Sequence, residues 1–312
     1  MRIVRIIAYL LIGWQCTVLA CDTLQIVSYN VENLFDNRHD SLKDDIEFTA
    51  EGNRHWTYQR YQDKLDHIAQ VLVGIGKWKA PCLVGLCEVE NTRCLRDLCW
   101  RMRRSNYRFI HYDSPDERGI DVALLYDSTQ VAILHSQPLH VDLHDDRTRD
   151  ILYAQALVRQ RDTLHLFVCH LPSQRGGTAQ TEWKRQMAKQ VLQTQIDSVL
   201  HSQPHAAVIV MGDMNGEPQD DLTSMHNLMC DLTSTPQQPG GTHRYNGIWS
   251  YLDQFYVSDT LRHHVTATVF APEWLLEEDN KYLGLKPKRT FTGFRYQNGY
   301  SDHLPIVLRL CL

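Results

Sequence analysis

Short apolar runs alternate with longer amphipathic segments along most of the chain. Apolar runs of roughly four to eight residues predict buried strands, and apolar residues at every third or fourth position predict helices. The predicted strands are Leu24–Tyr29, Cys82–Cys87, Val122–Tyr126, Ala154–Val158, Leu164–Cys169, Ala206–Met211, Leu252–Val257, Ala267–Phe270 and Leu304–Leu310. The predicted helices are Tyr58–Ile75, Thr92–Arg103 and Glu182–Leu200. This alternation predicts an α/β protein with substantial sheet.

Polar loops separate these elements, and they cover residues 37–53, 136–149, 231–247 and 272–289. The chain shows no internal repeat, no low-complexity tract and no linker rich in Pro, Gly or Ser. Its 312 residues are within the range that a large α/β chain occupies as one domain. We therefore expect one domain over residues 22–312, with functional groups on loops at strand ends.

The first twenty residues have the pattern of an export signal. Arg2 and Arg5 precede a short apolar run, and a small-residue cleavage site ends at Ala20. The run is too short to span a bilayer comfortably, which favours a signal peptide over residues 1–20. Cys21 leaves a second interpretation open, in which a lipid is attached to that cysteine. The expected location is periplasmic, extracellular or membrane-anchored.

The composition limits the kinds of ligand that the protein is expected to bind. The formal net charge is -5, so the chain lacks the broad basic surface of a protein that wraps DNA without regard to sequence. A local cationic site or a bound metal can still hold one phosphate. The nine cysteines include no Cys-x-x-Cys pair, which argues against a structural zinc site. One or two disulfides are compatible with the spacing, which does not assign them.

Five polar clusters each follow directly on a predicted strand. They are Ser-Tyr-Asn-Val-Glu-Asn at 28–33, Cys-Glu-Val-Glu-Asn at 87–91, Cys-His-Leu-Pro-Ser at 169–173, Met-Gly-Asp-Met-Asn-Gly at 211–216 and Ser-Asp-His-Leu-Pro at 301–305. Taken singly, most of them have a simpler explanation, because a carboxylate at a strand end is usually a turn former and Asn-Gly is a turn signal. Asp253 is different, since a carboxylate among apolar neighbours needs a cation or a histidine as partner.

Taken together, the clusters contain what hydrolysis of a phosphate ester requires. Glu88 and Asn30 offer oxygen ligands for a hard cation such as Mg²⁺, with Asp302 as a further carboxylate. A histidine held by a carboxylate can act as a base, which suits the pair Asp253 and His303.

The remaining polar residues fit the same reaction. Asp213 and Asn215 are two positions apart, so an extended segment points both side chains to one side. They can position the attacking water or bind the phosphate. His170 can donate a hydrogen bond to a phosphate oxygen.

These motifs, in this order, resemble the endonuclease/exonuclease/phosphatase (DNase I-like) superfamily, and the chain resembles a secreted bacterial-type member. That superfamily includes pancreatic-type deoxyribonucleases, apurinic/apyrimidinic endonucleases, neutral sphingomyelinases and inositol polyphosphate 5-phosphatases. The resemblance covers nearly the whole chain after the signal segment. It implies a four-layer α/β sandwich, in which two packed mixed β-sheets are flanked by helices. It also implies dependence on Mg²⁺ or Mn²⁺, or alternatively Ca²⁺.

The resemblance also implies roles for individual residues. Asn30 and Glu88 would belong to the metal site, and Asp302 would assist that site or a second metal. Asp213 and Asn215 would flank the scissile phosphate.

Asp253 would orient His303, which matches the catalytic histidine of the superfamily. Whether His303 acts as the base or stabilises charge stays open. His170 resembles an additional histidine of the deoxyribonuclease and sphingomyelinase branches, which the apurinic endonucleases lack.

Three further residues are candidate substrate contacts, each with a simpler alternative. Asp121 could orient His170, or the segment before it could be a plain surface turn. Arg175 could bind a phosphate, or it could belong to a flexible loop before the next helix. Arg244, with Trp249, could supply charge and stacking to a substrate.

The sequence therefore predicts an extracellular or periplasmic metal-dependent phosphodiester hydrolase that resembles an endo- or exonuclease, with nucleic acid as the expected substrate and no stable protein partner. One alternative is a phospholipid phosphodiesterase or an inositol-phosphate phosphatase. A membrane-binding hairpin is not evident in the sequence, whereas the lysines and arginine at 281, 286, 288 and 289 fit an inositol phosphate. A catalytically inactive binding module is also conceivable, but the intact metal and histidine positions disfavour it.

Overall fold

The computed structural model describes residues 23–77, 80–103, 106–218, 222–233 and 239–311. The predicted signal segment 1–20 and Cys21 lie outside the described residues. In chain order the elements are β1 (Thr23–Leu34), α1 (Tyr58–Gly76), β2 (Leu83–Val89), α2 (Thr92–Arg101), β3 (Tyr107–His111), β4 (Asp121–Asp127), β5 (Val131–Leu139), β6 (Ile151–Val158), β7 (Asp162–His170), α3 (Thr178–Ser202), β8 (Ala207–Asp213), β9 (His226–Asn227), α4 (Leu228–Thr233), β10 (His243–Tyr245), β11 (Ile248–Ser250), β12 (Asp253–Val257), α5 (Asp259–Arg262), β13 (Val265–Val269), β14 (Leu276–Glu278), β15 (Leu285–Pro287), β16 (Phe291–Thr292), β17 (Arg295–Tyr296) and β18 (Ile306–Cys311). Within this part of the chain, no helix is long and apolar enough to cross a membrane.

Two six-stranded mixed sheets form the centre of the molecule. The first has the order β13-β18-β1-β2-β4-β3, and the second has the order β5-β6-β7-β8-β12-β9. Most neighbouring strands are antiparallel, but β1 pairs parallel with β2 and β7 pairs parallel with β8. Each sheet therefore contains one parallel pair in its interior, and the two strands of such a pair end at the same edge.

The side chains alternate between two cores, as expected for strands that are covered on both faces. In β1, Leu24 and Ile26 pack between the sheets, whereas Val27 and Tyr29 face α1 and α2. The second sheet repeats this arrangement against α3, whose Ala188, Leu192 and Ile196 are buried against its outer face. Helices, sheet, sheet and helix thus make four layers, and the predicted α/β sandwich is confirmed.

Local sequence explains where α1 begins and which face it buries. Thr57 caps the helix by accepting a hydrogen bond from the backbone N–H of Arg60. Leu65, Ile68 and Leu72 are fully buried, and their spacing of three and four residues places them on one helical face.

All nine predicted strands and three predicted helices are present, but several bounds differ and other strands were missed. β3 and β5 are edge strands, and β5 overlaps the loop predicted at 136–149. Its middle residues His135, Ser136 and Gln137 are polar and at least partly exposed, so hydrophobic periodicity gives no signal there. Short hairpins also occupy parts of the loops predicted at 231–247 and 272–289.

Candidate active site

The polar clusters lie close together because they follow the ends of the parallel strand pairs in the two sheets. In the first sheet Asn30 lies opposite Cys87, the residue before Glu88. In the second sheet His170 lies opposite Asp213, and the antiparallel strand β12 places Asp253 on the other side of Asp213. Because these strands end together, residues far apart in sequence become neighbours at the edge where the sheets meet.

Irregular backbone at the strand ends orients these side chains. The pairing of β1 with β2 shifts between Asn30 and Leu34, and Glu32 and Asn33 have positive φ angles of 51° and 55°. Glu88 also has a positive φ, 67°, at a register shift between β2 and β4. Positive φ is uncommon for such residues, and it concentrates at functional sites. Here it lets the Asn33 N–H donate to Glu88 Oε2 at 2.8 Å.

Asn30 joins two carboxylates of the site. Its buried Nδ2 donates to Glu88 Oε1 at 3.2 Å and to Asp213 Oδ2 at 3.0 Å. Its Oδ1 accepts a hydrogen bond from the backbone N–H of Glu32 at 3.0 Å. The sequence predicts Asn30 as an oxygen ligand for a metal, whereas in this structure the amide nitrogen faces the carboxylates. Asn30 is therefore placed to hold Glu88 and Asp213 together.

His303 lies between two carboxylates. Its Nδ1 is 2.7 Å from Asp253 Oδ2, and its Nε2 is 3.8 Å from Asp213 Oδ2. Burial alone would lower the pKa of His303, but the charges of Asp253 and Asp213 outweigh burial and hold the pKa well above its usual value. The imidazole is therefore a cation at neutral pH.

At Asp213, burial has a larger effect on the pKa than the neighbouring charges have. Burial raises the pKa of Asp213 to about 7, although the charge of His303 opposes this shift. Its Oδ1 accepts the backbone N–H of Asn215 at 2.9 Å. The side chain of Asn215 donates to the Leu171 carbonyl at 2.9 Å, which ties the loop after β7 to the loop after β8. A carboxylate with a pKa near neutrality can accept and release a proton under ordinary conditions.

His170 completes the group around Asp213. Its Nε2 is 3.8 Å from Glu88 Oε1 and 3.7 Å from Asp213 Oδ2. Burial, and then the nearby guanidinium of Arg149, lower the pKa of His170 well below its usual value. A neutral histidine is therefore expected here, and a neutral imidazole N–H is a suitable donor to a phosphate oxygen.

These residues line a cleft of about 390 Å³. The other side chains of the cleft are mainly arginines and acidic residues, and the arginines are at positions 118, 147, 149 and 175. Arg175 therefore lies where the sequence predicts it. Arg147 and Arg175 are exposed, and among the described residues neither forms an ion pair. The cleft thus offers positive charge that the protein itself does not neutralise.

Arg149 supports the cleft from below, and sequence reasoning missed it. Its buried guanidinium pairs with Asp116 Oδ2 at 3.0 Å and donates to the carbonyls of His170 and Leu171. Its place in a polar loop gave no signal, because its partner Asp116 is 33 positions away in the sequence.

The structure does not bring two of the predicted substrate contacts into the cleft. Asp121 accepts hydrogen bonds from the backbone and side chain of Ser114, and its Oδ2 lies 3.4 Å from His111 rather than beside His170. Arg244 pairs with Asp279 at 3.0 Å and donates to backbone carbonyls of the next hairpin. Both side chains therefore make structural contacts, Asp121 with residues of its own strand hairpin and Arg244 with Asp279, which is 35 positions away.

Asp302 lies beside His303, and its Oδ2 accepts a hydrogen bond from Arg289 at 2.6 Å. With His243 and His303 it forms a group whose candidate ligand atoms lie within 4.8 Å of one another. The ring of His243 packs against that of His303, with a centroid distance of 4.7 Å.

The donor chemistry fits a divalent metal. Glu88 supplies a partly accessible carboxylate at the cleft, and one carboxylate with waters and substrate phosphate is a common Mg²⁺ site. In the group of His243, Asp302 and His303, the charged imidazole of His303 has no lone pair for a metal, so Asp302 and His243 are the members that could bind one.

A four-layer sandwich with carboxylates and histidines in a cleft between its sheets defines the class of DNase I-like proteins, whose members are typically phosphoester hydrolases that use divalent metals. Residues 25–311 match the model of the Endonuclease/Exonuclease/phosphatase family, and the chain belongs to that family.

Solved structures of similar fold include several hydrolases. TDP2 of D. rerio, complexed with a single-strand DNA product, is 19% identical with a TM-score of 0.53, covering 92% of this chain and 98% of that one. The human Nocturnin catalytic domain with a bound sulfate is 15% identical with a TM-score of 0.58, covering 92% and 93%. A mannosyl-6-phosphatase of Bacteroides thetaiotaomicron is 14% identical with a TM-score of 0.61, covering 93% and 100%. No curated protein sequence matches the chain.

Proposed function

We propose that the protein is a divalent-metal-dependent phosphodiester hydrolase that acts on nucleic acid outside the cytoplasm. The observation that carries the proposal is the convergence of Asp213 with Glu88, His170 and His303 in one cleft. This set contains a proton acceptor, a metal-binding carboxylate, a neutral donor and a cation, which are the groups that attack by water on a phosphate ester requires.

In the proposed reaction each of these residues has a separate role. Asp213 accepts a proton from a water molecule, whose oxygen forms a bond to phosphorus. The bond between phosphorus and the leaving oxygen then breaks. His303, as a cation fixed by Asp253, stabilises the negative charge that grows during this step and can donate its proton to the leaving oxygen. The raised pKa of Asp213, about 7, supports its role as base, and the raised pKa of His303 supports its role as acid and electrostatic stabiliser.

A divalent metal would be held by Glu88, with Asp302 as the second candidate carboxylate. When bound, it supplies positive charge that polarises the phosphate oxygens. Asn30 then contributes by fixing the positions of Glu88 and Asp213 through its amide.

The exposed arginines support an anionic substrate that extends beyond one phosphate. Arg147 and Arg175 line the cleft beyond the catalytic residues and are available for neighbouring phosphates. A nucleic-acid backbone has such phosphates at regular intervals. The TDP2 complex with single-strand DNA shows that this fold can accommodate that kind of product.

A second candidate is a phosphomonoesterase that acts on a sugar phosphate. The structural similarity to a mannosyl-6-phosphatase favours this activity over hydrolysis of a phospholipid. The same arginines could hold a compact, highly charged phosphate ester.

The test is hydrolysis of bis(p-nitrophenyl) phosphate beside p-nitrophenyl phosphate, each with Mg²⁺, Mn²⁺ or EDTA. We expect metal-dependent cleavage of the diester, lost in Glu88→Gln and in His303→Ala. Asp150→Asn is the matched control, because it removes a mostly buried carboxylate that pairs with the exposed His140 and does not line the cleft. Preference for the monoester would support the second candidate, and absence of both activities in the folded protein would favour a binding module.

The cellular location of the protein is tested by a separate measurement. We propose that the chain is exported and cleaved near residue 20. The mass of the amino-terminal peptide of the recovered protein distinguishes plain cleavage from a lipid on Cys21. Recovery of an intact Met1 in the cytoplasmic fraction would contradict export.

A further inference from the structure

The β10–β11 hairpin reaches the catalytic histidine directly. His243 forms an isolated antiparallel bridge with His303, and the Leu304 N–H donates to the Thr242 carbonyl at 2.7 Å. The rings of His243 and His303 are 4.7 Å apart. The hairpin is therefore an extension of the active site, with its far end directed away from His303.

Strand register divides the hairpin into two faces. Across an antiparallel pair, opposite residues share a face, and residues two apart along a strand do so as well. His243 is opposite Ser250 and Tyr245 is opposite Ile248, so these four side chains share one face. Arg244 and Trp249 share the other face, where Arg244 pairs with Asp279. The stacking residue expected from the sequence, Trp249, is thus on the inner face.

Tyr245 and Ile248 form an exposed apolar pair on the face that begins at His243. Their exposed fractions are 69% and 70%, which is high for large apolar side chains at the rim of a site. The turn that carries them is braced, because the Tyr282 hydroxyl donates to Asn246 Oδ1 at 2.9 Å. Gly247, with φ of 84°, lies so close to Tyr282 that a Cβ there would collide with it. The pair is therefore presented on a supported scaffold.

We propose that Tyr245 and Ile248 form a subsite that binds the base of a nucleotide next to the scissile phosphate in single-stranded nucleic acid. The proposal rests on the proposed function and adds a substrate class to it. An exposed tyrosine ring beside an apolar side chain is a stacking platform, and every base has a face that can stack on it. Bases in a duplex are already stacked inside the helix, so the subsite requires an unpaired strand.

The exposed arginines and the pair of Tyr245 and Ile248 would contact different parts of such a substrate. Arg147 and Arg175 offer charge to phosphates, whereas Tyr245 and Ile248 offer an uncharged surface. The arginines line the same cleft as His303, and the platform lies on the hairpin face that also carries His243, whose ring packs against His303.

Two substrates with the same leaving group test the subsite. Thymidine 5′-p-nitrophenyl phosphate carries a base, and ethyl p-nitrophenyl phosphate does not. We expect Tyr245→Ala to lower kcat/KM about tenfold for the thymidine ester and less than twofold for the ethyl ester. Tyr245→Phe should retain the preference because its ring is kept. Tyr58→Ala, at another exposed tyrosine, is the matched control and should behave as wild type.

A binding measurement keeps the two proposals separable. Fluorescence anisotropy with EDTA compares a labelled oligothymidylate with a chain of the same length that lacks bases. Loss of base-dependent binding in Tyr245→Ala, even without turnover of any ester, would support the subsite while contradicting the proposed hydrolysis. An equal loss of kcat/KM for both esters, or unchanged base preference in Tyr245→Ala, would overturn the subsite. Tyr245-dependent sedimentation with phosphatidylcholine vesicles, in place of oligonucleotide binding, would also overturn it and indicate a membrane surface.

Discussion

Replacement of Asp253 by asparagine removes one charge from the centre of the site and leaves the side-chain shape almost unchanged. Asp253 is fully buried, and its Oδ2 lies 2.7 Å from His303 Nδ1. The asparagine can keep a hydrogen bond at this position, but it cannot compensate the charge of an imidazolium. We expect the pKa of His303 to fall and the hydrolysis rate to fall with it.

The size of the effect follows from Coulomb's law. For this contact the centres of the two charged groups lie roughly 4 Å apart, where attraction is about 4 kcal/mol at an effective dielectric constant of about 20. Loss of this attraction lowers the pKa of His303. Asp213 and Asp302 still favour the charged imidazole, so part of the stabilisation of the imidazolium remains in the variant.

The assay combines NMR titration of the histidine side chains with steady-state kinetics on bis(p-nitrophenyl) phosphate. The His303→Ala spectrum assigns the resonance. Because a positioned acid or base contributes about 10²–10⁴ in rate, kcat of Asp253→Asn should fall about 100-fold or more at pH 7.5. Asp150→Asn is the control, since it removes the carboxylate that is paired with His140, whose side chain is 63% exposed, while that of Asp150 is 13% exposed. Neither residue lines the cleft, so no effect on kcat is expected.

The outcome that refutes this reasoning is specific. If Asp253→Asn keeps its circular dichroism spectrum and its His303 titrates at the wild-type pH, the carboxylate does not hold the imidazole charged. If kcat also stays within threefold of wild type, the dyad has no part in the reaction.

Three further expectations follow from the same structure. Activity should rise with pH through about 7 as Asp213 loses its proton, and Asp213→Asn should be nearly inactive; a pH–rate profile flat between 6 and 8 (about one unit either side of this pKa) would contradict the assignment of the base. Burial raises the pKa of Glu90 from 4.5 to about 8, so folding favours its protonated form, and the resulting stability is lost as pH rises through that window. Urea unfolding of Glu90→Gln should show a smaller loss of unfolding free energy than wild type between pH 5 and 9, by more than about 1 kcal/mol, and parallel curves would contradict this. Mg²⁺ should raise the Tm of wild type and not that of Glu88→Gln in differential scanning fluorimetry; equal shifts would place the metal elsewhere.

The layers, and most of the side chains that converge in the cleft, could be predicted from the sequence because central strands carry two independent signals. A strand such as β8 is an uninterrupted apolar run, and its end is marked by Asp213 and Asn215. Both signals are local. Edge strands such as β5 carry neither, because one side of the strand faces solvent and its composition resembles that of a loop.

Side-chain direction in short hairpins could not be predicted in the same way. In β10, only three residues long, Arg244 and Tyr245 point to opposite faces. Which of them faces the cleft depends on how the hairpin bridges to His303, a contact with a residue 60 positions away. The pairing of Arg149 with Asp116 is likewise a product of tertiary folding, since 33 positions separate the two residues. No periodicity encodes such partners.

The position of β18 makes one strand responsible for holding His303 in place. β18 is inserted between β1 and β13, and the hydroxyl of Ser301 just before it donates to the Asn30 carbonyl across 271 positions. His303 follows two residues later. Loss of the pairing between β18 and β1 would free one edge of β1 together with the segment that carries His303. Local unfolding of this one strand is therefore enough to separate His303 from Asn30, even while the rest of both sheets stays paired.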